Sequence, residues 1–286
     1  MIEIERLRIA DFYAWLGCQN AAAAELGCNQ STVSRRAREA ASLADATSRI
    51  DQADFLQLER QVHQCWRFSR GCDLRLHAYR WTNHLLRARL PEPWRLNPIE
   101  VSVTPSSPLQ LLEDHVIDAL LAPWPVVAEL DPQRFALVPV YFTPLVLLTS
   151  SAAPLALERG LSHRDIASLS TLGRLEFVPQ VAADCSHHLD QQMFGTSPSG
   201  PSQGGSAARI QDGARPQRYW GTPLTPLIRP DLTSLPYATP VTYSEFLVCL
   251  REWQDHAEID HLLSAVRRLL MVVGRHQPGL ETLALA

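Results

Sequence analysis

Apolar and polar positions divide this chain into a helical amino-terminal stretch and a longer stretch where strand-like and helix-like segments alternate. Ile4, Leu7, Ile9, Phe12, Trp15 and Leu16 give a first helix one apolar face. Ala21–Leu26 reads as a short second helix, rich in alanine, whose small side chains let a neighbour come close. Gly27 stands where a helix end turns through a left-handed residue. Asn29 is an N-cap for a further helix from Gln30 to about Ala41. Val33 and Ala37 share the inward face of that helix, which leaves Gln30, Ser31, Thr32, Ser34, Arg35, Arg36 and Arg38 outside. Between Asp51 and Phe68 the residues Phe55, Leu58, Val62 and Cys65 recur at spacings of three, four and three. That is either the seam of a short coiled coil or the inner face of a helix within its own unit.

From Asp73 the pattern changes. Leu74–Tyr79 and Ile99–Thr104 alternate like strands, and Pro144–Ser150 is a continuous apolar run of the kind buried on both faces. Trp81–Leu90, Leu109–Leu121 and Ser162–Leu169 read as helices, the last capped by Ser162, and Leu175–Pro179 reads as a strand. Ile259–Val272 is an amphipathic helix with Leu262, Leu263, Val266, Leu269 and Leu270 inward. Strands alternating with helices predict a parallel sheet covered on both sides. Residues 195–217 are rich in Gly, Ser, Pro and Gln and predict a loop without regular structure.

Composition sharpens this picture in three ways. The chain has 286 residues, enough for two or three units, and 46% of them are apolar, enough for packed cores. The net charge is −4, so any affinity for nucleic acid must come from a local patch; between Gln30 and Arg38 there are three arginines and no acid. All 26 basic residues are arginine, which excludes lysine nucleophile and Schiff-base chemistry. The first residues, MIEIERLRIADF, are charged and predict no signal peptide, and no apolar run approaches the ~18 residues that span a bilayer. Six scattered cysteines without CxxC spacing predict reduced thiols, a cytoplasmic setting and no zinc finger.

The helix pair carries the most specific chemistry. A glutamine can pair with adenine, an arginine with guanine, and a threonine methyl can touch the methyl of thymine. Early residues of a helix laid in the major groove reach base edges, and later arginines reach phosphates. Gln30, Ser31, Thr32, Ser34 and Arg35 are thus candidates for reading bases, with Arg36 and Arg38 on phosphate. A solvated surface helix would show the same serine and arginine content. The alanine helix, the glycine turn and the capping asparagine arriving together favour duplex DNA as the partner.

Residues Ala22-Ala23, Leu26-Gly27 and Gln30-Ser31-Thr32-Val33-Ser34-Arg35 resemble the AAxxLxxxQSxVSR recognition pattern of the LysR-type transcriptional regulators. Weaker likeness runs on through the seam helix, LRLHAY, VLLTS with AAPLA, and the closing strand and helix. The resemblance implies an N-terminal all-α winged helix-turn-helix, a linker helix, and a C-terminal α/β effector domain of two subdomains like the type 2 periplasmic binding proteins. It divides the chain into 1–48 (DNA-binding), 49–71 (dimerising linker) and 73–286 (effector-binding). Subdomain I is about 73–160 with 239–286, and subdomain II is about 161–238. It also implies a homodimer or homotetramer. Two departures stand out. Ala40-Ala41 stand where the family usually has Leu-Glu and ASLADATSRIDQAD replaces its wing with far fewer residues, and the second subdomain is short.

An effector site would lie at strand C-termini where sheet order switches, which places Tyr79, Trp81, Thr82, Thr104, Ser106, Ser107, Thr149 and Ser150 there. Hydroxyls and helix-end amides suit a carboxylate or another small anion, and the same residues would equally serve as helix caps. A regulator that has lost small-molecule sensing is the alternative reading. An enzyme is the weakest reading: Asp184–Asp190 and Asp255, His256, Asp260 and His261 collect possible ligands and nucleophiles, but without HExxH spacing. No catalytic residue, metal or cofactor is expected.

Overall fold

The computed structural model describes residues 2–45, 52–98, 107–150, 161–167, 170–171, 193, 217–275 and 281–282. It opens with helices α1 (Ile4–Leu16), α2 (Gln19–Leu26) and α3 (Gln30–Asp45), followed by α4 (Gln52–Arg70). Gly27 ends α2 at φ +62°, and the Cys28 amide donates back to the Ala23 carbonyl at 3.0 Å, closing the α2–α3 turn. The Asn29 carbonyl accepts the first amides of α3, from Thr32 at 2.9 Å and Val33 at 3.2 Å.

Two sheets follow. The first takes β1 (Leu74–Ala78), β2 (Trp94–Leu96), β3 (Ala119–Pro123), β4 (Phe135–Pro144), β9 (Thr242–Leu250) and β10 (Glu281–Thr282) in the order β10-β4-β9-β3-β1-β2. The second takes β5 (Val146–Ser150), β6 (Ser170–Thr171), β7 (Gln217–Gly221) and β8 (Leu232–Ser234) in the order β6-β7-β5-β8. The chain passes between them twice, from β4 into β5 and from β8 into β9. The two passages are tied together: the Leu145 amide donates to the Val241 carbonyl at 2.8 Å, and the Leu235 amide to the Leu147 carbonyl at 2.8 Å. Helix α5 (Arg80–Leu86) follows β1, α6 (Pro108–Glu113) precedes β3, and a long carboxy-terminal helix (Ala257–Gly274) packs Ile259, Leu262, Val266 and Leu270 on the first sheet.

Two sequence expectations change here. Leu109–Leu121 is not one helix. Helix α6 stops at Glu113, His115 adopts φ +58°, and Ala119–Pro123 is a fully buried strand. Five consecutive buried positions suit a central strand covered on both faces, and periodicity alone could not separate that from a buried helix. The first sheet is mixed rather than parallel: β1 runs parallel to β2 and β3, but β9 runs antiparallel to β3 and β4. The reason is connectivity, since β4 leaves for the second sheet and β9 returns from it. The strand beside β1 is Trp94–Leu96, whereas Ile99–Thr104 lies outside the described residues, as do Leu175–Pro179 and all of 195–217 except Gln217.

The three N-terminal helices share a core with the first sheet. Phe12, Trp15, Leu16 and Val33 are buried in one cluster with Leu111, Leu112, Val116 and Leu120. Helix α4 sits between, and its polarity is inverted. His63, Gln64 and Arg67 on its inner side are buried, while Leu58 and Val62 are 54% and 57% exposed and Cys65 is exposed. Phe55, the first seam residue, is half-buried.

Buried charge explains the inner side. Asp118 lies at the start of β3 and accepts from Arg67 Nη2 at 2.7 Å, Arg67 Nε at 3.0 Å, Gln64 Nε2 at 3.1 Å and the Arg75 amide at 2.8 Å. Asp11 of α1 is fully buried between Arg60 Nε at 2.8 Å and Arg75 Nη1 at 3.3 Å. Burial, with Arg67 close by, lowers Arg75 to about 10, so it stays charged at neutral pH beside its carboxylate. The Arg75 guanidinium also lies 4.8 Å from the centre of the Phe12 ring. Among the described residues no helix is long and apolar enough to cross a membrane.

Candidate functional site

Helix α3 presents the sequence-predicted reading residues on one surface. Val33 and Ala40 are buried beneath it, against α1 and α2. Ser31, Thr32, Arg35, Arg38, Glu39 and Ser42 line one open concavity on the outer side. Gln30, Ser31, Arg35 and Arg38 are exposed, whereas Thr32, Ser34 and Arg36 are half-buried. The Arg35 side chain is 62% exposed and reaches Glu39 only at 4.0 Å, the limit of an ion pair.

The other polar groups are more engaged. Gln30 Nε2 donates to Gln19 Oε1 at 3.1 Å, which links the starts of α2 and α3. Arg38 folds back to donate to the Ser34 carbonyl at 3.1 Å and to Ser34 Oγ at 3.3 Å. Arg36 Nη1 is 2.8 Å from Glu39 Oε2, and Arg6 of α1 is 3.7 Å from the same oxygen. The Arg36 hydrogen bond holds the Glu39 carboxyl below the usual carboxylate range. Glu39 is the residue that reading by residue type missed. It stands one position beyond the all-arginine stretch and, at i+3 from Arg36, offsets part of that charge.

The second candidate region lies where the chain passes between the sheets. Thr82, in the first turn of α5, donates a short hydrogen bond to Glu245 on β9. Tyr141 on β4 stands opposite Glu245 in the strand register, and Tyr243 lies two residues before it on the same face. Tyr79, just before α5, is half-buried, and burial pushes its phenol up to about 12. Burial, then Glu245, push Tyr243 well above the ordinary phenol value, and Tyr79 adds to the rise. Glu245 is 1% exposed, and burial pushes its carboxyl up to about 7 against the opposing pull of Thr82 and Tyr141.

The structure thus brings Tyr79 and Thr82 together with three residues that sequence spacing did not suggest: Tyr141, Tyr243 and Glu245. The one signal in the sequence was an acid set directly before an apolar run, Glu245 ahead of FLVCL. The other predicted effector residues are placed differently. Ser107 is the exposed N-cap of α6, accepting from the Gln110 amide at 3.1 Å, which is the capping role. Thr149 is buried and Ser150 half-buried on β5, paired with β8. Thr104 and Ser106 lie outside the described residues, and so does the side chain of Trp81.

The groups that suggested an enzyme are also partly visible. His256 caps the carboxy-terminal helix, its Nδ1 accepting from the Glu258 amide at 3.2 Å, and it packs edge-on to Phe68 at 4.8 Å. Asp255, Asp260 and His261 are exposed, and Asp184–Asp190 lie outside the described residues. Among the described residues no group of three His, Cys, Asp or Glu side chains could hold a metal ion.

No protein-family model matches the sequence, and no curated protein matches it either. Solved structures do match. OxyR of Corynebacterium glutamicum, as a cysteine-to-serine mutant with hydrogen peroxide bound, is 14% identical with a TM-score of 0.53, over 95% of this chain and 94% of that one. Full-length OxyR of Pseudomonas aeruginosa, as a cysteine-to-aspartate mutant, is 12% identical, with a TM-score of 0.49 over 93% and 95%. CbnR, a LysR family transcriptional regulator, is 17% identical, with a TM-score of 0.49 over 94% and 99%. At such identities the likeness speaks for fold. An N-terminal helix-turn-helix, a long helix and a mixed α/β pair of sheets occur here in one chain, and the chain shares the fold of the Corynebacterium glutamicum OxyR over nearly its whole length.

Proposed function

We propose that this chain is a sequence-specific DNA-binding transcriptional regulator that acts as a homo-oligomer under the control of a small molecule. The observation that carries the reading is the outer surface of α3. Its arginine and small polar side chains border an open concavity, while Val33 and Ala40 beneath fix the helix on its support. In this reading residues 1–48 bind DNA, 49–71 link and dimerise, and 73–286 respond to the effector. Ser31, Thr32, Ser34 and Arg35 meet base edges, with Gln30 at the entry, and Arg36 and Arg38 meet phosphate. The exposed Leu58, Val62 and Cys65 of α4, facing away from a buried polar side, are the surface for a second copy. Leu58 and Val62, a little over half exposed, would each contribute about half of the roughly 1.5–3 kcal/mol of a full burial if covered. Paired readers are what a palindromic site requires. Tyr79 and Thr82 belong to the effector cleft, with Thr149 and Ser150 on its second-sheet side.

The test is selection from a random duplex pool with the full chain, followed by titration of the enriched sequence. Arg35→Ala should weaken that complex roughly 10- to 100-fold and relax choice at one or two positions. Arg38→Ala should weaken all duplexes alike and reduce the salt slope by about one. Parent-like affinity in Arg35→Ala, or no enrichment at low ionic strength, refutes the assignment.

A further inference from the structure

The passage between the two sheets holds a feature that the sequence reading of an anionic effector does not accommodate. Glu245 is buried at the junction of β4 and β9, and its Oε1 has no hydrogen-bond partner. Tyr141 is fully buried, and its hydroxyl acts on that carboxyl together with Thr82. A buried polar atom left unpaired is costly, so Glu245 Oε1 marks a place where a partner belongs. Among the described residues no cation faces Glu245: the groups that act on it are Thr82 and Tyr141, both neutral. An anion brought here would meet a carboxyl and no positive charge.

We propose that this cleft takes a small organic cation, an ammonium or quaternary ammonium compound, whose charge rests on Glu245 and whose carbon groups rest on Tyr243 and Tyr79. The proposal deepens the reading of the cleft as an effector site and rests on it. The chemistry is of one kind throughout. A carboxyl gives the countercharge, and the Tyr141 and Thr82 oxygens lie beside it to accept from an N–H. Tyrosine rings attract a cation over their faces, the more so when the contact is dry. The Tyr141 and Tyr243 ring centres are 5.9 Å apart and inclined at 42°, two walls meeting at the carboxyl. Tyr79 and Tyr243 are only half-buried, so the cluster reaches the surface there while Glu245 lies deepest.

Position gives the site its leverage. Glu245 and Tyr243 belong to the strand that returns from the second sheet, Tyr141 to the strand that leaves for it, and Thr82 to a helix on the first sheet. A ligand held by all three acts at the passage between the sheets and can favour one arrangement of them over another, provided its affinity differs between the two.

The experiment is a thermal-shift and calorimetry series on the full chain with putrescine, choline and L-arginine. Sodium acetate, benzoate and matched sodium chloride serve as references. At least one amine should raise the Tm by roughly 5–10 °C at a hundredfold excess over its Kd. Glu245→Gln, which keeps shape and removes the charge, should bind that amine at least tenfold more weakly with an unchanged circular dichroism spectrum. Tyr243→Leu serves as the second variant and should also weaken binding. Absence of any amine effect beyond that of sodium chloride overturns the proposal, as does stabilisation by the carboxylates alone or a Glu245→Gln response equal to the parent's. The DNA reading is judged on separate grounds. An enriched duplex without amine binding removes the ligand class and leaves the regulator, and amine binding without an enriched duplex does the reverse.

Discussion

Replacing Asp118 by alanine removes four hydrogen bonds at once and strands a buried guanidinium. The Asp118 side chain is 0% exposed and that of Arg67 is 3% exposed, so water cannot take over the lost contacts. Arg67 shows what the carboxylate does: burial alone would lower its pKa, yet Asp118 raises it above the ordinary arginine value. Breaking a buried pair from one side typically costs about 3–5 kcal/mol. The Arg75 amide and Gln64 lose their acceptor too, which puts Asp118→Ala at the upper end. For a chain of this size each kcal/mol moves the Tm by about 2–4 °C, so a fall of roughly 10–20 °C is expected in scanning calorimetry, with a matching loss in urea midpoint. Asp231→Ala is the comparison. Its partner Arg229 is 2.6 Å away, but the two side chains are 32% and 43% exposed, and a loss of at most about 1 kcal/mol is expected. Joint replacement, Arg67→Met with Asp118→Leu, should recover more than half of the single-variant loss, because the uncompensated charge leaves with its partner. Asp118→Ala within about 1 kcal/mol of the parent would refute the argument that this carboxylate locks α4 to the first sheet.

Three further outcomes follow from the same contacts. Glutamate at both Leu58 and Val62 should turn an oligomer into a monomer by sedimentation or light scattering while leaving the circular dichroism spectrum intact; an unaltered mass would exclude α4 as the interface. His77 is held near 4 by burial, with its Nδ1 accepting from Trp15 Nε1 at 3.3 Å, and burial lowers His63 and His115 as well. These side chains are neutral in the folded chain and take up protons on unfolding, so stability should be complete above about pH 6.5 and decline as the pH falls toward 4. The slope of that decline, read from urea midpoints, should be shallower in His77→Phe. Finally, a methyl group at Gly221 would sit 2.4 Å from Leu148 Cδ1 and 2.8 Å from Thr225 Oγ1. Gly221→Ala should therefore cost about 1–3 kcal/mol, measured by calorimetry; a neutral effect would mean that the second sheet repacks freely.

Local patterns carried a good part of this structure. The α2–α3 pair follows from an alanine run and a glycine able to sit at φ +62°. The outward residues of α3 follow from helical periodicity around Val33. The long carboxy-terminal helix follows from its apolar stripe. Where two structures share a pattern, the sequence was mute: Val116–Pro123 is as apolar as a buried helix, and only its neighbours β1 and β9 make it a strand.

What the sequence determined by itself is therefore the set of short-range devices, caps, turns and periodic faces, whose physics acts within a few residues. Tertiary structure decided everything that depends on partners far apart along the chain. Asp11 meets Arg75 across 64 positions, Arg67 meets Asp118 across 51, and Thr82 meets Glu245 across 163. An isolated aspartate or glutamate in a sequence looks solvated. It becomes a lock or a ligand-binding carboxyl only when folding removes water from around it and places, or withholds, the opposite charge.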